Sequence, residues 1–401
     1  MGPQLFLATF LAATTAQPAV PAQSADPSQS AGPPVSSPPI TVTAKRLEDT
    51  EAALRDCIAR HCPPDEDINA TLAHSENLFA AGDYREARTV LRRSLGRNQK
   101  EAARYPVPVS DLHRSNAMVN DHLGFDRDYE RSTWGILDAL KKGIPTPDAR
   151  HLGARMEIAA MRARLHGLEA AAETYDSVAR DAEKAGRPDI AGMARLRSAG
   201  IAYRLQPGET TRNRIRAISQ LTGPDNLVPA SMAKLYLARI ARESGKDAEA
   251  EALVREVGGG NFASPILIHS PSYELNVQAI AKSRDVELTG ASLAKMGNPA
   301  AYFAGNFDKM WVDVGFWVQA DGKVTDLEVV RKQGDPSWSE PLLRSIAGRL
   351  YAPARSPAYR LERYSYTSEW QDQTGSHIKR RSPRARVEYI DLTNDGRIAA
   401  Q

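Results

Sequence analysis

The sequence predicts a mainly α protein, an α-solenoid of helix-turn-helix pairs followed by a small α+β domain. Three observations lead there. From about Asp67 to Gly258 the chain is Ala-rich, with apolar residues at helical spacing between short polar turns. Breaks at Gly82-Asp83, Gly124-Phe125-Asp126 and His166-Gly167 recur at close to 42 residues, and a further break falls at Ser244-Gly245-Lys246-Asp247. Units repeating at such a period stack, because one pair alone cannot bury its apolar face. Near the C-terminus the apolar period switches to two, on Val312, Val314, Phe316 and Val318.

At 401 residues the chain has room for two or three domains, and its net charge of +3 implies no nucleic-acid field over the whole chain. Residues 1–24 read as a signal peptide. Leu5 to Ala13 is an apolar core too short to span a bilayer as a helix, followed by small residues at Thr14-Thr15-Ala16 and Ala22-Gln23-Ser24. Gly2-Pro3-Gln4 supplies no Lys or Arg, so only the α-amino group is positive there. Export would place the protein in the periplasm of a Gram-negative cell. Residues 17–46, rich in Pro, Ala and Ser, form a disordered tether, since such a composition cannot bury a core.

The helical domain is expected over 47–260. Cys57 falls in a helical pattern, and Cys62 precedes Pro63-Pro64, which should end that helix. In an oxidising compartment the two close a small disulfide loop of modest stabilising effect. Two reduced thiols, or a metal site using Cys57, His61 and Cys62, are the other readings. Ala73 to Ala81 and Tyr84 to Gly96 form a helix pair, with Leu78 and Phe79 facing Tyr84, Ala87, Val90 and Leu91. Arg92, Arg93 and Arg97 read as a solvated face. A non-repeating helical domain is the alternative to stacking.

Gly82, Tyr84, Ala87 and Leu91, and more loosely Gly245, Ala248 and Ala252, resemble the second half of a tetratricopeptide repeat (TPR). The TPR opening Trp is not in place, and the period exceeds that family's roughly 34 residues. The resemblance implies TPR-like stacking and protein partners held in a groove.

Residues 261–304 connect the domains. Gly258-Gly259-Gly260-Asn261 looks like a hinge, and Ile266-Leu267-Ile268 is a short strand candidate. The C-terminal domain is placed at 305–401. After the alternating strand, Ala320-Asp321-Gly322-Lys323 is a hairpin signal, with both turn residues expected at positive φ. Val324, Leu327, Val329 and Val330 make the return strand. Ser339 is positioned to cap a helix whose apolar face is Leu342, Leu343, Ile346 and Leu350. Leu361–Trp370 and Val387–Leu392 are strands, and Lys379, Arg380, Arg381, Arg384 and Arg386 fall in a solvated loop between them; a basic cluster that faces anionic lipid or a polyanionic wall polymer, a membrane contact without a span, is the other reading.

The Val-x-Val-x-Phe strand, Asp321-Gly322-Lys323-Val324, the Leu-x-Val-Val of 327–330, Leu343 and the closing Tyr351-Ala352-Pro353 resemble the TonB C-terminal domain over roughly 305–370. The usual Tyr-Pro entry to the first strand is replaced by Gly305-Asn306-Phe307. The resemblance implies a docking module for an envelope partner, such as an outer-membrane receptor or the TonB system. Ile40, Thr41, Val42, Thr43 and Ala44, at the end of the tether, resemble a TonB box, a segment that adds as a strand to a sheet edge. A TonB-type energy transducer is the rival reading, and it requires an uncleaved N-terminal membrane helix.

No enzyme is indicated, and no cofactor or metal is implied. Ser231-Met232-Ala233-Lys234 and Ser292-Leu293-Ala294-Lys295 superficially resemble a serine acyl-enzyme motif, but the Lys-Thr-Gly strand such chemistry needs is missing. The eight histidines are scattered, with no His-Glu-x-x-His. The chain is expected to work by binding protein partners, without nucleic acid.

Overall fold

The computed structural model describes residues 46–257, 265–274, 310–334, 336–372 and 379–393, with backbone only for 366–372 and 379–386. The expected signal and nearly all of the expected tether, Ile40–Ala44, Gly258–Asn261, the second Ser-x-x-Lys and Gly305-Asn306-Phe307 lie outside the described residues.

Pairs of antiparallel helices dominate. α1 (Leu47–Ala59) lies against α2 (Pro64–Ala81). Among the described residues five pairs then follow. They are α2 with α3 (Tyr84–Asn98), α4 (Pro106–His122) with α5 (Asp126–Gly143), α6 (Ala149–Leu165) with α7 (Leu168–Lys184), α8 (Pro188–Leu205) with α9 (Glu209–Ser219), and α10 (Leu227–Glu243) with α11 (Asp247–Val257). Proline opens α2, α4 and α8, where its missing N–H costs nothing. Pro64 therefore begins the second helix, while α1 stops earlier, at Ala59.

The turn between α2 and α3 shows how a pair closes. Gly82 has a φ of 86°, a left-handed conformation that suits glycine. Gly82 N–H donates to Phe79 O and Asp83 N–H to Leu78 O, which satisfies two carbonyls at the helix end. The same pair of bonds recurs at Gly124-Phe125 and Gly245-Lys246. Phe79, Tyr84, Ala87, Val90 and Leu91 pack in one core with Leu78, as the sequence predicts. Alanines line the later contacts, at Ala159, Ala171, Ala179, Ala191, Ala194, Ala233 and Ala238, and their small size lets the helices approach closely. Polar pins cross between helices. Asp67 accepts from Arg97 Nε at 2.8 Å and Nη2 at 2.6 Å, and from Asn98 at 2.7 Å. Arg97 is thus fixed to α2 rather than belonging to a solvated face.

The C-terminal unit contains β1 (Leu267–His269), β2 (Trp311–Val318), β3 (Val324–Gln333), α12 (Glu340–Ala347), β4 (Leu350–Tyr351), β5 (Ala358–Asp372) and β6 (Lys379–Asp391). The main sheet is antiparallel in the order β3-β2-β5-β6, and β1 pairs with β4. One face carries Val312, Val314, Phe316, Val318 and Tyr364, covered by Trp338, Leu342, Ile346 and Tyr351.

Four local expectations are corrected. In the β2–β3 turn only Gly322 takes a positive φ, 86°. Its N–H donates to Gln319 O while Gln319 N–H donates to Lys323 O, so a tight turn is followed by a left-handed glycine bulge. Ser339 ends a 3-10 turn and donates to Pro336 O instead of capping α12. Leu350 sits in β4, drawn out of the helix by its bridge to Lys323. The basic residues from Lys379 to Arg386 lie in β6. β5 is longer than expected, rich in aromatic and hydroxyl residues, and gives them ladder partners from Asp372 to Thr367.

Asp148 caps α6, its carboxylate accepting from Arg150 N–H at 2.8 Å and from the Arg150 guanidinium. These bonds, the Arg150 side chain foremost, hold its pKa down to about 2. A carboxylate lowered on folding contributes fully above its unfolded value, about 3.9. The contribution is lost as pH falls through about 2. Asp148→Ala should cost about 1 kcal/mol at neutral pH in urea unfolding, with the deficit shrinking between about pH 4 and 2.

Candidate functional site: where the sheet meets the helix pairs

β2 alternates, yet both of its faces are buried at the Trp311 end. The face opposite α12 carries Trp311 and Asp313 on β2, Arg363 and Ser365 on β5, and Glu388 and Ile390 on β6. These residues meet the turn edges of the first three helix pairs.

Arg363 is the centre. Its side chain is 0% exposed and its five N–H groups are all used. Nε and Nη2 donate to the two oxygens of Asp313, at 2.6 and 2.9 Å. Nη1 donates to Phe79 O at 2.9 Å and to the Tyr84 hydroxyl at 3.3 Å, and Nη2 donates to Ala80 O at 2.6 Å. Phe79 and Ala80 lie two and one residues before the end of α2, so the cation sits at the negative end of the helix dipole. The guanidinium carbon lies 3.8 Å from the centre of the Trp311 ring. Burial alone would lower the Arg363 pKa, but the bond to Asp313 and the neighbouring Tyr84 and Asp313 raise it, so the group stays charged. Asp313, also 0% exposed, has a second partner in Arg331 at 2.8 Å.

Gly82 has two tasks here. A Cβ at this position would stand 2.7 Å from Trp311 Nε1, which itself donates to Gln333 at 2.7 Å. Next to this, His122 Nδ1 lies 2.7 Å from Glu388 Oε2, both nearly buried, and Arg164 reaches Glu388 at 3.4 Å while also pairing with Asp121. The His122 ring packs 4.1 Å from that of Tyr84 and 5.3 Å from that of Phe79, measured between centroids. Tyr84 and Ser365 hydroxyls are 3.4 Å apart. Burial pushes the Tyr84 hydroxyl pKa up, against the pull of Arg363.

The unit is held on a second side. Ile268 and Ala352 pack with Leu235 of α10 and Val257 of α11, flanked by Met232, Val254 and Ile266. Residues 265–274 join the C-terminal unit: Pro271 O accepts from Ser345 at 2.5 Å and Tyr273 packs on the sheet core.

A further charged network lies on the α12 face. Arg349 donates to Glu362 at 2.7 Å and to Tyr364 at 2.8 Å, and Tyr364 donates to the same carboxylate. Arg360 donates to Asp391 at 2.5 Å and to Tyr389 at 3.1 Å. Burial, reinforced by the charge of Glu362, pushes Tyr351 up to about 12 and Tyr364 well above the usual phenol range.

The residues singled out in the sequence do not converge. Cys57 and Cys62 are disulfide-bonded with Cα atoms 5.2 Å apart, fastening the last turn of α1. Glu66, rather than His61, has its carboxylate close to the two sulfurs, and it pairs with Arg60 at 2.5 Å. Lys234 is 3.0 Å from Glu256, beside a cleft of about 490 Å3 whose floor includes Leu221, Leu237 and Leu253. Ser231 belongs to α10, and the Ser-x-Asn element that serine acyl-enzyme chemistry also needs has a sequence match at Ser75-Glu76-Asn77, which lies in α2, where Asn77 donates to Thr50 of α1. Reasoning from the sequence missed Trp311, Asp313 and Arg363. Their signal was present, as a Trp and an Asp on the supposedly wet face of β2.

No protein-family model matches the sequence, and no curated protein matches it. Among solved structures the chain is similar to BtubC (BKLC) from P. vanneervenii, with 13% identity and a TM-score of 0.40, over 58% of this chain and 97% of that one. It is similar to a Rap protein complexed with Competence and Sporulation Factor, with 13% identity and a TM-score of 0.38, over 53% and 56%. It is also similar to the Rap conjugation gene regulator of the plasmid pLS20 in complex with the Phr* peptide, with 10% identity and a TM-score of 0.35, over 55% and 57%. The chain thus spans a little over half the length of these two Rap proteins.

Two substitutions test the contact. Gly82 and Gly186 both have positive φ, but a Cβ on Gly186 meets nothing within 4 Å. Gly82→Ala should therefore cost about 1–3 kcal/mol more than Gly186→Ala in denaturant unfolding, the excess being the collision with Trp311. Arg363→Lys keeps the charge but loses the planar fork, and should lower stability by about 2–3 kcal/mol.

Proposed function

We propose that the protein is a protein-interaction scaffold of the Gram-negative cell envelope, exported to the periplasm, with no chemistry of its own. The observation that carries this reading is the architecture itself: five stacked helix pairs among the described residues with an α/β unit seated on them, a large surface for partners. Lys234, the lysine of the described Ser-x-x-Lys sequence, is paired with Glu256. Among the described residues no helix is long and apolar enough to cross a membrane. The Cys57–Cys62 bond fits an oxidising compartment. The order β2, tight turn, β3, α12, β5 fits the TonB C-terminal resemblance, and β3 forms one edge of the sheet among the described residues. A docking module for an envelope partner follows from that resemblance.

Osmotic-shock fractionation with N-terminal sequencing tests the reading. The mature protein should appear in the periplasmic fraction, begin near Ala16 or Ser24, and resist thiol alkylation until reduced. A cytoplasmic protein that retains residues 1–24 with two free thiols would overturn it.

A further inference from the structure

The two sides of the C-terminal unit are attached by different chemistry. Toward α10 and α11 the contact is apolar, through Ile268, Ala352, Leu235 and Val257. Toward α2, α4 and α6 it is polar, with Trp311 and Ile390 adding apolar area. Separation at an apolar contact exposes area at about 25 cal/mol per Å2 with nothing in return. Separation at a polar contact lets water replace each bond, provided no charge is stranded.

The charges are arranged so that few are stranded. Arg363 and Asp313 face each other across β5 and β2, so their ion pair stays inside the sheet. Asp313 also keeps Arg331, on β3. Arg164 keeps Asp121, since both belong to the helix pairs. The polar contacts that cross are the α2 carbonyls and the Tyr84 hydroxyl with Arg363, the Tyr84 and Ser365 hydroxyls, and Glu388 with His122 and Arg164. Each of these groups is one that water can serve.

We propose that the sheet is a releasable strap. It lifts from the turn edges of the first three helix pairs while it stays fixed on α10 and α11, and lifting uncovers Phe79, Tyr84, His122 and Arg164. The device depends only on this contact and stands whether or not the protein is exported.

Thiol-labelling rates in the full chain, with the native disulfide intact, test it. Ser365→Cys, a near-isosteric change at a position 2% exposed, reports on the releasing side. Ala352→Cys reports on the fixed side, and Ser198→Cys, buried in α8, reports on opening of the helix pairs. The thiol at 365 should label at least about tenfold faster than those at 352 and 198, as local opening precedes global unfolding. Glu388→Gln should speed labelling at 365 and leave 198 unchanged. Equal rates at all three positions, or a Glu388→Gln effect shared by 198, would mean that the contact opens only with the whole fold. Labelling at 352 as fast as at 365 would mean that the unit leaves altogether, and would also overturn the proposal. Should Ser365→Cys fail to fold, Ile390→Cys on the same face of β6 reads the same contact. A periplasmic assignment that fails leaves every one of these outcomes readable.

Discussion

A fully buried guanidinium organises this molecule. Taking Arg363 out of water costs several kcal/mol, and the structure meets that cost with five hydrogen bonds, a carboxylate and an aromatic face. Few positions in a fold can supply all of these together. The end of α2 provides two carbonyls, β2 provides Asp313 and Trp311, and the α2–α3 turn stays clear of the ring because residue 82 has no side chain. The placement of the sheet on the helices, and the register of β5 on β2, both follow from seating this one group. A slip of one residue would turn Arg363 into the apolar layer of Val312, Val314 and Phe316.

The same strand carries a second charged set on its other side. Along β5, Arg360, Glu362 and Tyr364 point toward α12, while Arg363 and Ser365 point toward the helix pairs. Both sets are buried and both are neutralised locally. β5 is thus a central strand written in charged residues, with its apolar content supplied by its neighbours. Such a strand specifies its partners more narrowly than an apolar one, because each charge accepts few alternatives.

That arrangement explains which parts were legible in the sequence. The helix pairs were, because their turns carry Gly-Asp, Gly-Phe and Gly-Lys at steps that match the chain's rise, and Leu78, Phe79, Tyr84 and Leu91 pack as their spacing demands. The β2–β3 hairpin was, through Asp321-Gly322, although only the glycine needed the left-handed backbone. The contact was not. Arg-Leu-Glu-Arg-Tyr-Ser at 360–365 reads as a solvent-facing strand by any local rule, and its partners Phe79 and Ala80 act through backbone carbonyls that no side-chain pattern reveals. The extent of β6 was hidden for a related reason, since its basic start is strand only by virtue of what β5 places beside it.

A solenoid open at both ends gains or loses a repeat during evolution at small cost, since each unit touches only its neighbours. This one is bridged. The C-terminal unit grips α2, α4 and α6 on one side and α10 on the other, so its width sets the distance between the first pair and the fifth. Inserting one more pair would move α10 by about 10–20 Å, the width of one or two packed helices, and neither grip spans that change. While the sheet is seated, the bridge acts as a gauge: it matches the spacing, and with it the curvature, of the five described pairs.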